Sequence, residues 1–173
     1  VLAVRGGTDV APLILGGGQE RDRRSGTHNV AGIVALARAL ESTDRERANE
    51  CARIGSLRES LISRVTASGG VHRTVPAERA VFGVAHVCIA DVESEALLYL
   101  LDEGGVCASA ASACASGAME PSHVLAAMGV ERRLATGALR MSLGHTTTES
   151  DVDEAASVVT AAISRIRSAS RNR

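Results

Sequence analysis

The chain has no lysine: it runs to 173 residues, and all 19 of its basic residues are arginine. No side chain can therefore form a Schiff base with a carbonyl group, and chemistry that needs one must take its amine from elsewhere. Tryptophan is also absent, and Phe82 and Tyr99 are the only aromatic residues. A core has to be assembled from Ala, Val, Leu and Ile, and an apolar content of 45% supplies enough of them. Neither sign of charge is in excess. A net charge of −1 gives no long-range field that would recommend nucleic acid or a membrane as a partner. The basic tail Arg165, Arg167, Arg171 and Arg173 reads as a solvated helix end. No apolar run approaches the roughly 18 residues of a transmembrane helix, and no signal peptide is visible. No C-x-x-C pair joins Cys51, Cys88, Cys107 and Cys114, and the histidine spacing suggests no zinc site. Reduced thiols, and with them a cytoplasmic protein, are the expectation. The chain opens at Val1, without methionine, in what reads as the middle of a strand. The expectation is a carboxyl-terminal portion of something larger.

Hydrophobic periodicity sets the elements. Residues 1–4 and 13–15 predict short strands, followed by a polar, glycine-rich loop over 16–27. From Asn29 the pattern is helical, with Ile33, Val34, Leu36, Ala37 and Leu40 on one face. A break is expected near Ser42-Thr43-Asp44. A second helix then carries Ile54, Leu57, Leu61 and Val65, ending at Ser68-Gly69-Gly70. Residues 81–90 read as a buried strand that carries Cys88, and 92–101 as a helix stopped by Gly104-Gly105. A short strand is expected over 106–109, a helix from Pro121 to about Met128, and a strand over 138–143. The last helix begins near Thr148, where Thr148 and Asp151 have capping-box spacing. The alternation of helix and strand indicates an α/β layer.

Cys114 stands out chemically. It lies in Ser112-Ala113-Cys114-Ala115-Ser116-Gly117, within a stretch made almost wholly of Ala, Ser and Gly. Composition leaves two readings open: a loop that carries a thiol over a distance, or an Ala-rich helix with an inert cysteine.

That segment, continued by Glu120-Pro121-Ser122-His123-Val124-Leu125, resembles the active-site loop of the group I cysteine desulfurases. These NifS/IscS-like proteins are pyridoxal-phosphate enzymes of the class-V aminotransferase type. Gly16-Gly17-Gly18-Gln19-Glu20-Arg21 with Arg24-Ser25-Gly26-Thr27 resembles a second family signature, and Ala138-Leu139-Arg140-Met141-Ser142-Leu143-Gly144 a third. All three fall in family order. The resemblance implies an α/β fold: the small carboxyl-terminal domain of a fold-type-I transferase, over residues 41–173, with a mobile catalytic-cysteine loop at 108–119. Residues 1–40 would be the tail of the large cofactor-binding domain. It implies a homodimer that converts L-cysteine to L-alanine, leaves a persulfide on Cys114, and passes the sulfur to an iron–sulfur scaffold or another acceptor. The products served would be iron–sulfur clusters, thiolated tRNA or sulfur-containing cofactors, with no direct nucleic-acid or membrane partner.

By the same resemblance, Thr27 reaches the phosphate of the partner subunit's pyridoxal 5′-phosphate, and Arg140 binds the substrate carboxylate. Arg24 either supports the phosphate region or braces its own loop. Arg140 is otherwise a surface arginine at a strand edge. No resident metal is implied, although Cys114 would be the residue to meet a transient iron–sulfur cluster. His123 is read as structural, and Cys107 as a strand-end core residue or a redox partner. The cofactor's lysine anchor is missing from this chain, which is expected to be inactive alone. Departures from the pattern are Asp22 in place of a glycine, Ala111 in place of the glycine before Ser112, and Ala110 in place of a serine. The competing reading is a cofactor-free sulfur-relay or interaction module that uses Cys114. A plain aminotransferase would have no use for the cysteine motif.

Overall fold

One long helix, α1 (Val30–Thr66), dominates the first part of the computed structural model, which describes residues 1–110 and 122–171. Asn29 caps its start, its side-chain oxygen accepting from the Gly32 amide at 3.0 Å. The break expected at residues 42–44 does not occur. Ser, Thr and Asp each cost only about half a kcal/mol inside a helix. Stopping and restarting would cost a new nucleus. The Arg38–Glu41 pair, one turn apart at 2.9 Å, also supports the helix just before the suspected break. The helix stops where glycine allows it to, with Gly69 at φ +73° and Gly70 at φ +59°.

The chain falls into two compact units, Val1–Glu46 and Arg47–Arg173. In the first, the strand expected over residues 1–4 is absent, and that over 13–15 shrinks to a single parallel bridge between Ile14 and Arg24. A strand persists only where a neighbour pairs its amides and carbonyls, and among the described residues none lies alongside. Val30, Ile33, Val34, Leu36 and Leu40 are exposed along this part of α1.

The second unit is built on an antiparallel sheet of β1 (Val71–Arg73), β2 (Val84–Ile89) and β3 (Ala138–Ser142), in that order. A 3₁₀ turn, Ala77–Arg79, joins the first two. Neither β1 nor this turn is foreseen from periodicity, because three residues reading Val-His-Arg carry no pattern. Helices α2 (Ser94–Glu103), α3 (His123–Ala127), α4 (Arg132–Ala135) and α5 (Glu149–Arg171) complete it. Of these, α4 is too short to show a period. The strand expected over 106–109 contracts to one bridge from Ser109 to Arg140. The capping box of α5 is present: Thr148 donates its amide to Asp151 at 2.8 Å, and Asp151 donates back to the Thr148 hydroxyl oxygen at 3.2 Å.

Side chains alternate across the sheet. Ala85, Val87, Ile89, Leu139 and Met141 face one way, into a core closed by Leu61 and Val65 of α1, Leu97 and Leu101 of α2, and Val159 and Ile163 of α5. The opposite face carries a smaller cluster of Cys88, Ala138, Leu125 and Ala135. Gly137 admits no side chain, since a Cβ there would lie 2.0 Å from the Ile89 carbonyl oxygen.

Arginine forks tie the loops to this frame. Arg167 of α5 donates to the carbonyls of Gly69 and Ala90 at 2.9 and 3.0 Å. Arg53 donates to those of His145 and Thr147, both at 2.8 Å. Arg58, with a side chain only 6% exposed, donates to Ala80 and Val81 and pairs with Glu59 at 2.6 Å. Glu59 also pairs with Arg73 of β1.

The Arg73 hydrogen bond holds the Glu59 carboxyl below its ordinary 4.5, against the opposing effect of partial burial and with Arg58 adding to the shift. A depressed carboxyl stabilises the fold fully above its unfolded value, and the contribution is lost as pH falls through the folded one. We expect Glu59→Gln to cost about 1–2 kcal/mol at pH 7, discounted for exposure. The gap from the parent should narrow at an acid pH below the lowered carboxyl value, where Glu59 is protonated in both the folded and the unfolded chain. Urea unfolding at both pH values checks this, and an equal gap at each would show that charge is not what Glu59 contributes.

Candidate active site

Along β3, alternation that buries Leu139 and Met141 turns Arg140 outward, on the sheet face away from the main core. It is exposed, but its strand is not an edge at that point. Arg140 exchanges both backbone hydrogen bonds with Ser109, at 2.8 and 3.0 Å. In an antiparallel ladder a residue aims its amide and carbonyl to the same side. Arg140 therefore aims neither at β2, and its β2 partner His86 forms the narrow, non-hydrogen-bonded kind of pair. Such pairs bring Cα atoms to about 4.5 Å and side chains closest together.

His86 is held from its other flank. Its Nδ1 lies 2.7 Å from the Thr74 hydroxyl, which is 3.6 Å from the Cys88 sulfur. Burial lowers the His86 pKa from 6.5, and the nearby Arg140 charge lowers it further. The imidazole is thus kept neutral beside a cation. Burial raises the Cys88 thiol above 9.0, so its proton stays on. Among the described residues no hydrogen bond or ion pair engages the Arg140 guanidinium. No sequence motif singles out His86 or Thr74. Alternation along 84–89 places His86 and Cys88 on one face, but only the register with β3 brings Arg140 beside them.

Cys114 lies outside the described residues, as do Ala111 and Pro121. The described chain leading to Cys114 is pinned at Ser109, by its pairing with Arg140. Cys88 is buried, as expected; Cys107 is exposed rather than a core residue, and Cys51 is half-buried. His123 is the exposed first residue of α3.

In the first unit the loop over 16–27 is closed on itself. The Gly26 amide donates to the Gln19 side chain at 3.1 Å, the Leu13 amide to the Arg23 carbonyl at 2.8 Å, and the buried Ser25 hydroxyl to the Gly17 carbonyl. Arg24 braces this loop, donating to the Thr27 carbonyl at 2.8 Å. Asp22, the departure from glycine, sits at φ +62°, preceded by Glu20 and Arg21 at +54° and +56°. Aspartate tolerates this left-handed region better than most residues. Thr27 is exposed, and among the described residues its hydroxyl has no partner. A free hydroxyl beyond a self-satisfied loop fits one contact to a phosphate. No residue fits a covalent cofactor anchor, since the chain has no lysine.

Among the described residues no three His, Cys, Asp or Glu side chains cluster to hold a metal, and no helix is long and apolar enough to cross a membrane.

Comparison with known proteins places this geometry in context. An IscS-like cysteine desulfurase of Mycobacterium tuberculosis is 42% identical over 174 residues, covering 97% of this chain and 43% of that relative. A cysteine desulfurase IscS of Methanosarcina thermophila is 38% identical, over 98% of this chain and 42% of the relative. The chain thus spans less than half the length of the curated relatives it matches. A solved NifS-like protein structure superposes with a TM-score of 0.78 at 36% identity, over 94% of this chain and 41% of that one. The family profile for class-V aminotransferases matches residues 11–155, most of the sequence, and the chain therefore belongs to the class-V aminotransferase family.

Proposed function

We propose that this chain is the carboxyl-terminal part of a cysteine desulfurase, with residues 1–40 as the tail of the large domain and 41–173 as the small domain. The observation that carries this reading is the Ser109–Arg140 pairing. It ties the approach to Cys114 to the backbone of the arginine that would bind substrate. Cys114 follows Ser109 by five residues, a reach of at most about 18 Å. That reach supports a nucleophile and a carboxylate-binding group sharing one active site.

The residues divide the work. The Arg140 fork takes the L-cysteine carboxylate through paired, charge-assisted hydrogen bonds. Thr27 supplies a hydroxyl to the pyridoxal 5′-phosphate of the partner subunit in a homodimer. When bound, that cofactor supplies an electron sink next to the substrate's Cα. The Cys114 thiolate forms a bond to the substrate sulfur as the substrate's Cβ–Sγ bond breaks. Cβ takes up a proton and leaves as L-alanine, and Cys114 keeps the sulfur as a persulfide. No external oxidant is consumed. The sulfur passes to an iron–sulfur scaffold or other acceptor, in a reducing cytoplasm that suits the free thiols of Cys51, Cys88 and Cys107.

Two outcomes are expected when this chain is joined to a lysine-bearing amino-terminal half. In Cys114→Ser, cofactor binding should persist while no persulfide accumulates, because serine is a far poorer nucleophile at neutral pH. Alanine at Cys51, Cys88 or Cys107 should leave the persulfide in place. Intact-protein mass spectrometry after one turnover reads the added sulfur, and persulfide in the Cys114→Ser protein would reject Cys114. Arg140→Lys should raise the Michaelis constant for L-cysteine by roughly tenfold or more, the loss of a charged hydrogen bond. An unchanged constant would put Arg140 outside the substrate site.

A further inference from the structure

We propose that His86 is a second binding group for the substrate carboxylate, donating from Nε2–H beside the Arg140 guanidinium, and that Thr74 and Cys88 fix it in that tautomer. The inference rests on the reading of Arg140 as the carboxylate's main partner.

Three features carry it. The first is placement. His86 and Arg140 are directly opposed on adjacent strands, on the face away from the main core. They form the narrow pair, in which cross-strand side chains come closest. A ligand that meets the guanidinium on this face meets the imidazole next to it.

The second is the direction of the hydrogen bonds. Thr74 has one hydroxyl proton and two neighbours, the His86 Nδ1 at 2.7 Å and the Cys88 sulfur at 3.6 Å. Imidazole nitrogen is a strong acceptor and thiol sulfur a weak one. A separation of 2.7 Å is also typical of a hydroxyl donor and short for an N–H donor. The hydroxyl proton therefore points to Nδ1. The thiol, which burial keeps protonated, is left to donate weakly to the Thr74 oxygen. The chain runs from Cys88 to Thr74 to His86, and the imidazole's own proton stands on Nε2.

The third is valence. A carboxylate offers about four lone-pair directions and the arginine fork fills two. Among the described residues, Nε2 has no partner of its own. A neutral N–H beside a cation adds a donor without a second positive charge to repel the first.

Histidine-selective ¹⁵N NMR of this chain tests the proposal without any cofactor. Wild-type His86 should be the Nε2–H tautomer, and Thr74→Val should release the Nδ1–H form. Acetate, titrated against chloride at equal ionic strength, should shift the His86 Nε2 and Arg140 Nε resonances with one dissociation constant. His86→Leu should weaken acetate roughly fivefold. His86→Gln, whose amide nitrogen can stand in for Nε2–H, should hold it within about twofold of wild type. An Nδ1–H tautomer in the wild type overturns the proposal and needs no variant to show it. If Arg140→Gln abolishes acetate binding while His86→Leu leaves it unchanged, the Arg140 reading stands and the His86 role falls. If Arg140→Gln changes nothing, or acetate binds no better than chloride, both fall together.

Discussion

The antiparallel register between β2 and β3 is the constraint on which the second unit depends. With Val87 opposite Leu139 and Ala85 opposite Met141, five apolar side chains of the two strands reach the core together. The same register leaves His86 opposite Arg140 on the other face. A slip of one residue would reverse both outcomes, sending a guanidinium into the core and a leucine out of it. Burial of an unpaired guanidinium is far too costly to compete. The packing that stabilises this unit and the polar face that would bind substrate are therefore set by a single choice of pairing. Gly137 permits it at one end, because any larger residue would collide with the Ile89 carbonyl.

An all-arginine complement suits this architecture. A guanidinium presents several donors in a planar fork, where an ammonium is a point charge. Arg53, Arg58 and Arg167 each use that fork to hold two or more backbone carbonyls that lie far from the arginine in sequence. Carbonyls at helix ends and turns that would otherwise need water are satisfied by one side chain. Arg140 differs, in that its backbone is paired with Ser109 while among the described residues no hydrogen bond or ion pair engages its fork.

Much of the second unit was legible in the sequence because its signals are local. The capping box at Thr148 and Asp151, the stop at Gly104 and Gly105, and the β-branched run leading to Ile89 each identify an element through a few neighbouring residues. Failures have physical causes of the opposite kind. Apolar content predicts a strand over residues 1–4, but a strand exists through its partner, and none is present among the described residues. Weak helix formers predict the break at Ser42-Thr43-Asp44, but α1 absorbs their summed cost. Short β1 and α4 have too few residues to show a period. For the candidate site, motif likeness singled out Thr27, Cys114 and Arg140. His86 and Thr74 belong to no motif, and only cross-strand pairing brings them to Arg140.

One register sets both the core and the face that carries His86 and Arg140, and proton NMR reads that register. Narrow antiparallel pairs bring the two Hα atoms into close contact. Strong Hα–Hα cross-peaks are expected between Val84 and Ser142, His86 and Arg140, and Cys88 and Ala138. Cross-peaks that instead join His86 to Leu139 or Met141 would contradict the register, and with it the common origin of the core and the proposed binding face.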